Sequence, residues 1–234
     1  MRIIESQFVK KKTYRRCPTD GVLIFHLDIN ALASSKTLTD SMLSESEQAR
    51  ARAFYFLRDR QTYTITRAAL KHLLGYYHGV LPNRIAFTYA EHGKPSLPDS
   101  EIEFSVSHSG GRAVIAIAFG ARVGVDIETF NREAQYLELS KRFFASAEHQ
   151  KLLTLSGEAL KTGFFKCWTQ KEAFVKAIGE GLSFPLSQFE VSVLPDEPVG
   201  IKILKGSTMP SKRWAMHEIT SVPGYISALA VELF

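Results

Sequence analysis

Two carboxylates on one short segment are the residues in this chain best suited to chemistry. In Arg122-Val123-Gly124-Val125-Asp126-Ile127-Glu128 the residue types alternate. On a strand, Val123, Val125 and Ile127 point to one face, and Gly124, Asp126 and Glu128 to the other. Residues two apart on a strand have Cα atoms roughly 6.5–7 Å apart, so both carboxylates can lean on one small cation. Mg²⁺ takes hard oxygen ligands and keeps waters in its remaining positions. Gly124 on the same face leaves room for a close approach to the backbone. The same pattern also describes an edge strand with a solvated face, so the motif alone does not decide between them.

The preceding segment, Phe104-Ser105-Val106-Ser107-His108-Ser109, places Ser105, Ser107 and Ser109 on one face and Phe104, Val106 and His108 on the other. It ends at Gly110-Gly111, where hydroxyls, an imidazole and accessible backbone N–H groups suit phosphate oxygens. A satisfied turn histidine is the plainer reading of His108. No G-x-S-x-G elbow occurs, which disfavours a serine hydrolase. The third region runs from Phe164 to Ile178. There Trp168, Glu172 and Lys176 follow at i, i+4 and i+8, hence on one helical row. An exposed Glu–Lys pair worth a few tenths of a kcal/mol has the same spacing.

The elements that must hold these residues follow from periodicity. Val22–Ile29 has the length and content of a strand, and Ser44-x-x-Glu47 is a capping-box signature. Helical content covers 50–57 and 59–77 up to Pro82, and 85–89 looks extended before a turn at His92–Pro95. Strands 102–108, 113–119 and 123–128, separated by glycines, predict a tight antiparallel meander. Helical stretches 135–155 and 163–178 follow, then extended segments at 189–194, 200–204, 214–220 and 225–234. Strand, two helices and a run of strands thus occur twice. The expected architecture is α+β, with two similar lobes over 1–121 and 122–234.

Composition sets the outer bounds. The chain has 234 residues, 45% hydrophobic and 23% charged, which excludes disorder and fibrous classes. No apolar run reaches the roughly 18–20 residues of a membrane span, and no apolar leader opens the chain. Cys17 and Cys167 are the only cysteines, too few for a disulfide framework. A cytoplasmic protein is expected. Residues 1–75 hold 13 Lys/Arg against 7 Asp/Glu, a surplus pointing to an anionic partner.

Five stretches in this order and spacing resemble one family, the 4′-phosphopantetheinyl transferases in their larger two-lobed form. They are HGKP at 92–95, FSVSHSGG at 104–111, VGVDIE at 123–128, RFFASAEH at 142–149 and WTQKEAFVK at 168–176. The Arg50…Phe54…Arg58-Asp59…Arg67 pattern upstream is similar too. The resemblance is strong over residues 43–185, and WTQKEA looks like the family's Trp-containing K-E-A branch.

It implies two α+β lobes in a pseudo-twofold arrangement with coenzyme A in the cleft between them. The implied reaction is Mg²⁺-dependent transfer of the 4′-phosphopantetheine arm to a serine of an apo acyl or peptidyl carrier protein, releasing adenosine 3′,5′-bisphosphate. By the same resemblance Asp126, Glu128 and Glu172 form the metal set, Glu172 is the candidate base, and Lys176 holds a phosphate oxygen or protonates the leaving group. Lys171 is either an assisting neighbour or a surface lysine. Gly93, Lys94 and Pro95 match the loop beside the adenine, Ser107 and His108 the phosphate-contacting strand end, and Arg50 a 3′-phosphate ligand. Glu47 and Ala53 stand where some members carry basic residues. A basic rim, Arg15 and Arg16 included, would steer acidic carrier domains. A monomer without membrane or nucleic-acid partners is expected.

Two other readings remain at this stage. One is a metal-dependent nuclease, which the D-x-E pair and basic balance allow but which lacks an E-x-K strand pair. The other is a non-catalytic coenzyme A or carrier-protein binding module.

Overall fold

The computed structural model describes residues 2–8, 21–35, 38, 40–181, 184–203, 214–219 and 222–233. Lys10–Lys12, Arg15, Arg16 and Cys17 lie outside them. A four-stranded sheet is built from β1 (Arg2–Gln7), β2 (Gly21–Asp28), β5 (Ile102–Ser109) and β6 (Arg112–Phe119), in the order β1-β2-β6-β5. A second sheet has the order β10 (Trp214–Glu218), β11 (Tyr225–Glu232), β7 (Val123–Thr129). Two short hairpins, β3 (Thr88–Tyr89) with β4 (Pro95–Ser96) and β8 (Phe189–Val191) with β9 (Ile201–Ile203), complete the strands.

The expected three-strand meander does not form. β5 and β6 make a hairpin, but β6 already has β2 on its other edge, so no edge is left for a third partner. The turn at Gly120 (φ 71°) carries the chain across, and β7 pairs with β11 instead. The alternation in β7 then has a clear purpose. Val123, Val125 and Ile127 join Val22, Ile24, Val114 and Leu229 in an apolar layer between the two sheets. The other faces of the sheets carry separate cores. Ile115, Ile117 and Phe104 pack with Leu73 and Leu74 of α3 (Leu57–His78). Ala228 and Ala230 pack with Phe174 and Ala177 of α6 (Gly157–Ile178).

Helix α1 (Ile29–Ser35) begins where the first predicted strand was expected to end. The helical stretch at 50–57 resolves into the end of α2 (Glu45–Arg52) and an extended corner before α3. The stretch 135–155 is likewise two helices, α4 (Tyr136–Phe143) and α5 (Ser146–Leu153), broken by extended backbone at Phe144 and Ala145.

The repeated element order has a matching interior. α2 and α5 each have 8 residues, α3 and α6 each have 22, and both long helices stop at a left-handed glycine, Gly79 and Gly179. Between α2 and α3, Glu47 accepts the Ser44 N–H (2.8 Å) and pairs with buried Lys71 (2.9 Å). Between α5 and α6, Glu148 accepts the Ala145 N–H (2.8 Å) and pairs with buried Lys171 (2.8 Å). The same strut thus ties a short helix to a long one twice.

This settles Lys171, which neither assists at the site nor lies on the surface. It is 0% exposed, and its ammonium also donates to the Leu186 and Phe189 carbonyls at 2.7 and 2.8 Å. Lys171→Met strands the Glu148 carboxylate, and the expected cost is roughly 3–5 kcal/mol. Urea titration should show that loss as a lower midpoint, with ligand affinity of the folded protein retained. An unchanged midpoint would contradict the strut.

Candidate functional site

The site forms where α6 crosses the polar face of β7. Gly124 permits the crossing: a Cβ placed on it would lie 1.9 Å from the Ala173 carbonyl oxygen and 2.4 Å from the Ala177 nitrogen. The space that Gly124 leaves is therefore filled by the helix. Glu172 and Lys176 are brought down onto the strand face bearing Asp126 and Glu128. Lys176 Nζ sits 2.6 Å from Asp126 Oδ1 and donates to Ser107 Oγ at 2.9 Å. An exposed Glu172–Lys176 pair is thereby excluded, because the lysine turns to the strand.

The serine row also makes contacts that its sequence did not predict. Val125 N–H donates to Ser105 Oγ (3.1 Å), Ser107 Oγ donates to Asp126 (2.7 Å), and Ser109 Oγ donates to Glu128 (2.8 Å). Three hydroxyls stitch β5 to β7, and those of Ser107 and Ser109 orient the two carboxylates. Ser107 still lines the site together with His108, Asp126, Glu128, Glu172 and Lys176, around a cleft of about 290 Å³ walled on one side by Trp168.

Electrostatics mark this cluster as under strain. Burial, reinforced by Asp126 and Glu128 and opposed by Lys176, pushes the Glu172 carboxyl up to about 7 from its ordinary 4.5. Burial also raises Glu128, against the Ser109 hydrogen bond. Desolvation and then the Lys176 charge lower the proton affinity of the His108 imidazole, although the residue as a whole stays exposed at the strand end. Asp126 Oδ2 and Glu172 Oε1 are buried without a hydrogen-bond partner. Buried, unpaired carboxylate oxygens cost free energy in isolation and are suited to a cation. Among the described residues no three His, Cys, Asp or Glu side chains already converge as a metal cage. The acidic set is open, with Lys176 supplying the positive charge.

A second cleft of about 430 Å³ adjoins the first through Val106, Glu172 and Lys176, and holds Gly93, Lys94 and Pro95. The β3–β4 hairpin reaches the end of α6 here. Lys94 Nζ donates to the Ala177 carbonyl at 2.9 Å, one of the helix's last carbonyls, and burial lowers its proton affinity. Lys94 is thus partly occupied as a clip between the β3–β4 hairpin and α6, and Gly93 and Pro95 shape the wall. Gly179 and Gly181, which line the same cleft against Lys94 and His92, carried only a helix-stop signal in the sequence.

Arg50 lies farther along, in a pocket of about 220 Å³ that shares Pro95, Val106 and His108 with the other two. Its guanidinium is 5.5 Å from the Tyr63 ring. Arg67 lies in the same pocket, held between Tyr63 and Phe87 and 3.7 Å from Glu47. Arg67 Nη1 and Thr66 Oγ1 are both buried without partners. Glu47 therefore fixes the pocket from behind. Thr66 had no sequence signal, because a threonine in mid-helix is unremarkable.

Comparison with known proteins agrees along the chain. Residues 122–230 match the 4′-phosphopantetheinyl transferase superfamily, and residues 32–119 match the 4′-phosphopantetheinyl transferase N-terminal family. The 4′-phosphopantetheinyl transferase HetI of Nostoc sp. is 33% identical over 220 residues, 92% of this chain and 90% of that one. The 4′-phosphopantetheinyl transferase Sfp of Bacillus subtilis is 32% identical over 164 residues, 70% of this chain and 72% of that one. Among solved structures, a holo-(acyl-carrier-protein) synthase from Bacillus anthracis in complex with CoA matches at 22% identity with a TM-score of 0.38, covering 47% of this chain and 93% of that one.

Proposed function

The chain belongs to the 4′-phosphopantetheinyl transferase family, enzymes that transfer the phosphopantetheine arm of coenzyme A to carrier proteins, and we propose how its residues carry out that transfer. Coenzyme A lies along the three joined clefts. Arg50, Arg67 and the Thr66 hydroxyl receive the 3′-phosphate, the Gly93–Pro95 loop borders the adenine, and Ser107, His108 and Lys176 border the diphosphate. Asp126, Glu128 and Glu172 would hold a Mg²⁺ ion, which when bound would supply positive charge beside the diphosphate oxygens. Glu172 accepts the proton of the attacking serine hydroxyl, directly or through a water. The serine oxygen forms a bond to the β-phosphorus as the bond to the departing adenosine 3′,5′-bisphosphate breaks. Lys176 leaves Asp126 to steady that leaving phosphate.

The observation carrying this reading is the pair of unpartnered, buried oxygens on Asp126 and Glu172 beside the Lys176 ammonium. Calorimetric titration with coenzyme A tests it. Mg²⁺ should tighten wild-type binding by about tenfold, and Asp126→Asn should lose that increment. Equal affinity with Mg²⁺ and with chelator would oppose the metal assignment.

We further propose that the lobes divide after Ala121, which the separate cores on either side of the shared apolar layer support. Both halves of the site then come from one chain, consistent with a monomer. No helix among the described residues is long and apolar enough to cross a membrane. A cytoplasmic location and the absence of nucleic-acid partners remain part of the same reading. The nuclease and non-catalytic readings find no support in the family membership.

A further inference from the structure

The corner between α2 and α3 turns three consecutive apolar side chains into solvent. Tyr55 is 93% exposed, Phe56 61% and Leu57 67%. Patches of contiguous apolar surface mark contact sites when no packing within the chain explains them. Arg52 and Arg58 flank this one, and both are exposed; Arg58 makes a loose ion pair with Asp59 at 3.6 Å. None of the three apolar residues enters the chemistry above.

The corner lies at the rim of the reaction groove. Phe54, which precedes it, packs 5.5 Å from Tyr63, and Tyr63 lines the pocket holding Arg50 and His108. The Asp59 carboxylate is close enough to act on His108. A folded acceptor whose serine enters the groove must cover part of this rim.

We propose that Tyr55, Phe56 and Leu57, with Arg52 and Arg58, form a docking surface for the carrier protein. They would take an amphipathic helix beside its acceptor serine that presents apolar side chains bordered by carboxylates. The proposal rests on the transfer reaction above. Charge selects this occupant. A second copy docked corner to corner would set arginines against arginines, whereas an acidic helix neutralises them.

Phe56 allows a clean test because it is the N-cap of α3 and makes no capping hydrogen bond. Phe56→Ser supplies a hydroxyl that favours that position, so the variant should melt no lower than wild type. With the full chain, an apo carrier protein, coenzyme A and Mg²⁺, Phe56→Ser combined with Leu57→Ser should raise the carrier KM by about tenfold or more. Coenzyme A affinity and kcat should stay within about twofold. Arg58→Glu should raise the same KM and flatten its dependence on salt. A carrier KM unchanged in both variants would overturn the proposal, as would a parallel loss of coenzyme A affinity. It would also be overturned if sedimentation showed a wild-type dimer that the double variant abolishes. So would wild-type binding to anionic vesicles that the double variant loses, with carrier KM unaffected. Wild type that modifies no carrier protein would instead count against the reaction itself.

Discussion

Glu172→Gln is expected to reduce transfer by roughly a thousandfold in kcat, the scale of losing a general base, and to make the protein more stable at alkaline pH. Both effects come from one carboxyl group. Its value in the folded protein is about 7 against an ordinary 4.5, with burial the main cause. Between those two values the folded state holds a proton that the unfolded chain has already lost. Stability therefore falls as pH rises from 4.5 to 7 and stays at its reduced level above that.

The full displacement corresponds to about 3 kcal/mol. Glu172 is partly solvated, which discounts the figure to about 1–2 kcal/mol. Glutamine fills the same space and does not titrate. In metal-free buffer the variant should melt several degrees above wild type at pH 8 and level with it near pH 4.5, at about 2–4 °C per kcal/mol for a chain of this size. An equal difference at both pH values would show that the carboxyl is not held near 7. Loss of activity together with a gain in stability is the signature of a site that keeps an unfavourable charge for use.

Gly124→Ala is expected to be strongly destabilising. Its Cβ would lie 1.9 Å from the Ala173 carbonyl oxygen, 2.4 Å from the Ala177 nitrogen and 2.9 Å from the Ala177 Cα. All three are backbone atoms of α6 and cannot rotate away. The helix must lift off β7 or the strand must bend. Ordinary overpacking costs 1–3 kcal/mol, and backbone contacts this short place the expected loss at roughly 4 kcal/mol or more. That corresponds to a fall in Tm of about 10 °C. Any folded remainder should be inactive, since lifting α6 separates Glu172 and Lys176 from Asp126. A melting temperature within ~2 °C of wild type would mean that the helix and strand are less closely packed than described.

The grouping of the site's side chains was legible in the sequence because it follows local periods. Alternation along β7 puts Asp126 and Glu128 on one face, and the helical row puts Glu172 and Lys176 on one side of α6. What local periods do not carry is which face meets which. Nothing within 123–128 says that β7 leaves the first sheet; that follows from β2 occupying the edge of β6, a pairing with a segment some 90 residues earlier. Lys171 and Glu47 illustrate the same limit. Each is a charged residue inside a helix, and only its partner, Glu148 or Lys71, reveals a buried strut rather than a surface or binding residue. The serines at 105, 107 and 109 share one face, as their alternation implies, but nothing local says that this face meets β7. Thr66 and Arg67 join the pocket of Arg50 because Glu47, Tyr63 and Phe87 surround them, an arrangement assembled from three separate segments.

The most direct measurement is the intact mass of an apo carrier protein after incubation with this protein, coenzyme A and Mg²⁺. Wild type should add the mass of one phosphopantetheine arm to the carrier protein and release adenosine 3′,5′-bisphosphate in equal amount. Chelation of the metal, Asp126→Ala and Glu172→Gln should each suppress the gain while the variants still bind coenzyme A. An undiminished mass gain in those variants would contradict the assignment of the site. No gain with any fatty-acid or peptide-synthetase carrier protein, despite intact coenzyme A binding, would contradict the transfer reaction.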